Sequence, residues 1–311
     1  MSYKKMSLIV LAVIAIVVGG LVYVRDHVLD QPHEAADITD LSGAYQATDE
    51  IAAAKQQLAD GVKPAEVITT LMDGTPRVAI VFDGLPDRPS CARLLDVLAR
   101  HDASAVFFVE GQNAADQPET IKMIQEAGQE IGNYTYVGLA GIEKASSDKQ
   151  LSEICRTQKI VSMLSAFKPE LFRAPRMVLN DNLLKSVQAA GLSYAVKENV
   201  RFQPNTLHND ADADAYAASI ANGSILAIQV NRPVDPKAVT PGKTDERPAV
   251  DMKPTIHDNA VPTASDVKED LADEVDRLLT ALSKRGIQVI FVNQFRKIHY
   301  VPVQGVTTNG N

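Results

Sequence analysis

From Val78 onward the chain alternates short apolar runs of strand length with amphipathic stretches of helix length, and this rhythm limits the fold more than any other feature. "VAIVF" reads as a strand. "CARLLDVLARHD" reads as a helix with Leu94, Leu95 and Leu98 on one face. "SAVFFV" is the next strand, "PETIKMIQEAGQ" a helix stopped by Gly128, and "DKQLSEICRTQKIVSML" a longer helix. "LFRAP", "SYAVK", "SILAIQV" and "QVIFVNQF" are further apolar runs of strand length, and "ASDVKEDLADEVDRLLTALSKRG" is a helix closed by Gly286. Strands that alternate with helices imply a parallel sheet with crossover helices, open or closed into a barrel.

Other segments break the rhythm. "MSLIVLAVIAIVVGGLVYV", residues 6–24, is uncharged and apolar. At 1.5 Å per helical residue it spans roughly the 30 Å hydrocarbon core of a bilayer. Lys4 and Lys5 precede it, while Arg25 and Asp26 nearly cancel, so the expected topology is single-pass, with residues 1–5 cytoplasmic and the rest outside the cell membrane. The length of the run favours a retained anchor over a cleaved signal peptide. Residues 25–76 read as a stalk with two short helices that pack on the domain or space it from the membrane: "ATDEIAAAKQQLADG", with Thr48 as N-cap and Gly61 as stop, and "KPAEVITTLMDG", with Pro64 near its start. Residues 232–266 are rich in Pro and charge and read as a loop insertion. Residues 301–311 read as a polar tail.

The chain has 311 residues and a net charge of −8, with no basic cluster beyond Lys4 and Lys5. That balance excludes a phosphate-backbone partner, so nucleic acid is not expected. Cys91 and Cys155 lie in no zinc-knuckle spacing and read as two separate thiols, although outside the cytoplasm they could pair. The Asp spacing of "HNDADAD", residues 208–214, lacks the Gly and terminal Glu of a calcium loop and reads as a solvated lead into a helix. His27, His33, His101, His208, His257 and His299 are scattered and read as surface residues.

Chemistry is concentrated in a few short stretches. "RVAIVFDGLPD", residues 77–87, is a strand that delivers a carboxylate, Asp83, to its C-terminal end. Beside "VFDGLPD" stand "SAVFFVEG" (104–111), "GQEIGNYTYVG" (128–138), "FRAPR" (172–176) and "GSILAIQ" (223–229). In order and spacing, over residues 77–300, these segments resemble the NodB-homology or polysaccharide deacetylase family, carbohydrate esterase family four. The resemblance implies a distorted (β/α) barrel, here preceded by the transmembrane helix and helical stalk, with the site at the strand C-termini. It also implies removal of acetyl groups from envelope polysaccharides such as peptidoglycan, chitin or xylan. In the family an Asp and two His hold zinc or a similar divalent metal, a second Asp is the base and a late His the acid.

The departures from the family fall on the chemistry. Asp83 matches the base, with Arg173 as its partner. Gly84 stands at the metal-binding Asp, Tyr134 and Gly138 at the two His, and Gln229 at the acid His. The chain has no Trp, and "KENVRFQPNTLHND" offers no clear counterpart to the family's Trp and paired Asp. A zinc site needs about three ligands from Asp, Glu, His or Cys, and none is position-matched. No metal or other cofactor is therefore expected. A metal that lowers the pKa of bound water from 15.7 to about 7 supplies at most about 12 kcal/mol. A general base alone contributes about 10² to 10⁴ in rate, so loss of the metal outweighs retention of Asp83. Gln229 can hydrogen-bond a sugar but cannot donate a proton to a leaving amine.

The expected function is that of an anchored, catalytically inactive deacetylase-like protein. It would bind envelope glycan through Tyr134, Tyr136 and Gln229, or scaffold envelope proteins, with the Pro-rich insertion as one contact surface. Tyr134 and Tyr136 could equally be packing. The alternative is an active carbon–nitrogen or ester hydrolase with a relocated metal or none. The Asp83–Arg173 pair reads equally as a remnant polar site or as a structural ion pair.

Overall fold

The computed structural model describes residues 45–70, 74–165, 167–231 and 270–296, and the unit built from them begins at Ala47. The expected anchor at 6–24, the Pro-rich insertion at 232–266 and the tail at 301–311 lie outside these residues.

In chain order the elements are α1 (Thr48–Ala59), β1 (Glu66–Ile68), β2 (Arg77–Asp83), α2 (Arg88–Arg100), β3 (Ala105–Val109), α3 (Gly111–Asp116), α4 (Pro118–Glu126), β4 (Glu130–Asn133), α5 (Ser147–Leu164), β5 (Leu171–Phe172), α6 (Asp181–Ala189), β6 (Tyr194–Val196), β7 (Val200–Phe202), α7 (Asp210–Ser219), β8 (Ile225–Gln229), α8 (Leu271–Lys284) and β9 (Gln288–Val289). The main path of the sheet runs β1-β6-β5-β4-β3-β2-β8-β7, with β9 paired to the start of β2, and every pairing is parallel. The expected α/β class with crossover helices is therefore correct. Closure is not: among the described residues no ladder joins β1 to β7, so the sheet is a half-barrel. Strand length falls from seven residues in β2 to three in both β1 and β7, leaving few groups at the flanks to bridge a gap.

Burial explains why β2 is central. Val78, Ala79, Ile80, Val81 and Phe82 are each fully buried, as expected of a strand covered on both faces. Several of the helices start where capping side chains stop the preceding loop. The Asp87 carboxylate accepts from Ser90 N at 2.9 Å, and the Asn180 side chain accepts from Leu183 N at 2.8 Å. Asn209 caps α7 through Asp212 N at 3.0 Å, so the helix begins within the "HNDADAD" stretch.

Four local expectations are corrected. Residue Ala47, in a left-handed conformation at φ 53°, precedes α1 in place of the expected Thr48 cap and makes no side-chain capping bond. The second stalk helix does not form: Glu66–Ile68 pairs with Tyr194–Val196 as an edge strand. Its β-branched Val67 and Ile68 suit a pleated surface better than a helix. In "QVIFVNQF" only Gln288–Val289 is a strand, followed by a 3-10 turn over Val292–Arg296. Finally, Val200–Phe202, unassigned by periodicity, extends the sheet beside β8. Ala47, Ala54, Ile51 and Leu58 join a core cluster with Leu151, Cys155, Leu183 and Val187, so α1 is part of the domain's covering layer and not a spacer.

Candidate functional site at the strand C-termini

Asp83 closes β2 at 5% exposure, and Arg173, at 1%, follows β5 directly. Arg173 Nε donates to Asp83 Oδ1 at 2.6 Å and Nη2 to Oδ2 at 2.9 Å, a two-point contact that fixes both planes. Its Nη1 donates to Glu198 Oε2 at 2.6 Å and to the carbonyl of Val196 at 3.2 Å. Glu198 is held on its other oxygen by Arg201.

One buried guanidinium thus serves two carboxylates, and their titration divides accordingly. Burial raises the pKa of Asp83, and Arg173, which pulls it down, offsets this only in part. Glu198 is less buried. Burial opposes its charge too, but the hydrogen bond and charge of Arg173 outweigh it and lower its pKa to about 2. Arg173 stays protonated: burial disfavours its charge, and the two carboxylates more than restore it.

Tyr134 leaves β4 with its N–H on Val109 O at 3.0 Å and turns inward, 2% exposed. Burial first, and the Asp83 charge second, raise its pKa well beyond the ordinary phenol value. The residue is therefore a protonated phenol near Asp83, and its ring has no open face for a ligand in this conformation. Gln229, at the end of β8, sits in register with Asp83 across the ladder, half-buried, and its Nε2 donates to Asn231 O at 2.9 Å. Tyr136 faces elsewhere: its ring lies under the Arg156 guanidinium of α5, 3.5 Å from the charged carbon to the ring centroid. The structure thus gathers Asp83, Arg173, Tyr134 and Gln229 and leaves Tyr136 against α5.

Three residues of the cluster went unrecognised from sequence. Glu198 takes the second side of Arg173. Glu110, 2% exposed, follows β3 and accepts Leu85 N on Oε2 at 2.8 Å. Asn231 Nδ2 donates to Leu85 O at 2.8 Å and to Glu110 Oε1 at 3.1 Å. The signal for Glu110 was available: "FFVEG" ends a buried strand in a carboxylate, as "IVFD" does.

The residues present do not fit the divalent metal that the resemblance implies. Gly84 and Gly138 carry no donor atom, and the Tyr134 phenol stays protonated. Among the described residues no group of three or more His, Cys, Asp or Glu side chains is placed to hold a metal. His101 is engaged at the end of α2, its Nε2 2.6 Å from Asp276 Oδ1. His208 lies in the exposed lead into α7. His27, His33, His257 and His299 lie outside the described residues. Cys91 and Cys155 are free and buried, and burial raises each thiol's pKa to about 12.

Comparison with known proteins gives a consistent picture. Residues 72–195 match the family described as polysaccharide deacetylase. A peptidoglycan-N-acetylglucosamine deacetylase of Bacillus cereus is 34% identical over 108 residues, 35% of this chain and 39% of that protein, so the match spans about two fifths of its length. A chitooligosaccharide deacetylase of Sinorhizobium fredii is 28% identical over 193 residues, 60% of this chain and 87% of the relative. Among solved structures, a pseudoenzyme of the same esterase family from Bacillus anthracis superposes with a TM-score of 0.56 at 18% identity, covering 76% of this chain and 70% of that one, a likeness of fold.

Proposed function

We propose, from the match of residues 72–195 to the polysaccharide deacetylase family, that the chain recognises an envelope glycan without deacetylating it, held at the cell membrane by residues 6–24. The observation that carries this reading is the state of Asp83. It is buried and gripped at two points by Arg173, with the buried Tyr134 phenol near it and glycines at two positions where metal donors would be needed. A carboxylate so saturated has little capacity left to take a proton from water. Peptidoglycan and chitin oligosaccharides are the substrates named for the two relatives, so a β-linked N-acetylglucosamine polymer is the proposed ligand class. Gln229, the half-buried amide at the rim, is the proposed sugar contact.

Two measurements test this. Zinc or cobalt titrated into the metal-free chain is expected to give no one-to-one site. Acetylated peptidoglycan or chitooligosaccharide is expected to release no acetate above the level of the Asp83→Asn variant. Stoichiometric metal, or acetate release abolished by Asp83→Asn, overturns the inactive reading. Absence of any retention on insoluble peptidoglycan removes the glycan-binding half.

A second reading, hydrolysis without the family's metal, draws on the burial of Asp83 at the end of β2, which raises its pKa, the direction that makes a carboxylate a stronger base. Its signature is acetate release unaffected by chelators and lost on Asp83→Asn.

A further inference from the structure

The glycine at position 84 is enforced by its surroundings as well as lacking a donor. Gly84 adopts φ +107°, a backbone region that L side chains rarely enter. A Cβ built there meets Asn231 at three atoms: its Cβ at 2.7 Å, Cγ at 2.9 Å and Nδ2 at 2.9 Å. Asn231 is not a loose side chain that can swing away. Its Nδ2 is tied to Leu85 O and Glu110 Oε1, its backbone N–H is on Asp83 O at 3.2 Å, and the Gln229 amide donates to its carbonyl. Glu110, the second member of the pair, lies against the other glycine: a Cβ at Gly138 would stand 3.3 Å from Glu110 Cγ, at a backbone φ of +71°.

We propose that Asn231, braced by Glu110, fills the space a metal ligand at position 84 would occupy, so that returning donor side chains to the chain is insufficient for metal binding until Asn231 is cut back to glycine. The inference rests on the reading of this cluster as a site without its metal. It goes further in assigning a blocking role to a residue outside the ligand positions. Asn231 acts by position: it ties the Gly84–Leu85 loop to the end of β8 through backbone and side chain together.

A thermal double-mutant cycle on the full chain isolates the collision. Gly84→Ala is made alone and with Asn231→Gly; the backbone strain at position 84 is common to both backgrounds and cancels. The melting temperature is expected to fall less for Gly84→Ala when Asn231 is glycine than when it is present. Asn231→Ala is expected to relieve only part of the difference, because the nearest atom is the Asn231 Cβ itself. An equal fall in both backgrounds overturns the proposal. The consequence is read by cobalt titration of the combined variant Gly84→Asp, Tyr134→His, Gly138→His, with and without Asn231→Gly. Affinity is expected to rise by at least about tenfold on removal of Asn231, a change of about 1.4 kcal/mol. Equal affinity with Asn231 kept overturns it. Metal bound by the unaltered chain would instead refute the metal-free reading of the site and leave the Gly84–Asn231 coupling as measured.

Discussion

At the scale of single residues, the cluster is governed by the sharing of one cation. Arg173 is 1% exposed and neutralises Asp83 and Glu198 together. Arg173→Met leaves a buried carboxylate uncompensated, so urea unfolding is expected to show a loss of about 3–5 kcal/mol. Acid titration separates the two carboxylates. Glu198 has a folded pKa lowered to about 2 from an ordinary value near 4.5, so the unfolded chain binds more protons between those values. Its stabilising contribution is complete above pH 4.5 and disappears as pH falls towards 2. Asp83 is raised and has the opposite sign: the cost of its buried charge is relieved as pH falls through its folded pKa and is gone below its ordinary value near 3.8, so it adds nothing to the loss towards pH 2. The urea midpoint of the wild-type chain is therefore expected to fall more steeply from pH 4.5 to 2 than that of Glu198→Gln. Parallel curves would show that Glu198 is not the depressed group. Asp83 and Arg173 were readable from sequence because each ends a strand motif. Glu198, Glu110 and Asn231 were not, since their partners lie 25, 25 and 146 residues away along the chain.

At the scale of elements, buried side chains on α5 hold the loop that carries Tyr134 and Gly138. Glu153, 1% exposed, accepts Tyr136 N at 2.9 Å and Val137 N at 3.2 Å and pairs with Lys149 at 2.9 Å. Glu153→Ala strands two backbone donors, and a loss of about 2 kcal/mol or more is expected from thermal unfolding, with Gln recovering part of it as a neutral acceptor. Helix α2 depends on its cap in the usual way: Asp87→Ala is expected to cost about 1 kcal/mol. The helices were legible because period 3.6 and capping residues are local signals. The segment at 66–68 was misread for the same reason. Pro64 and Gly74 punctuate it as they would a helix, while the partner that makes it a strand, β6, is more than a hundred residues downstream.

For the molecule as a whole, α1 and β1 change where the domain starts. β1 covers the β6 edge, and Ile51, Ala54 and Leu58 pack against the cluster around α5 and α6. A fragment of residues 77–311 exposes that edge and cluster, and its melting temperature is expected to lie below that of residues 45–311 by several degrees, a shift on the order of 2–4 °C for each kcal/mol lost in a domain of this size. Equal melting temperatures would return residues 45–70 to the role of a spacer. By itself the sequence determined the parallel α/β class, the strand that delivers Asp83 and the lack of donors at 84 and 138, because apolar period and side-chain identity are properties of short stretches. Only the tertiary structure decided that the sheet stays open among the described residues, that Arg173 is divided between two carboxylates, and that Asn231 stands where a side chain at 84 would go. Each of these depends on which distant atoms come within 3–4 Å of one another, and a one-dimensional pattern carries no such distances.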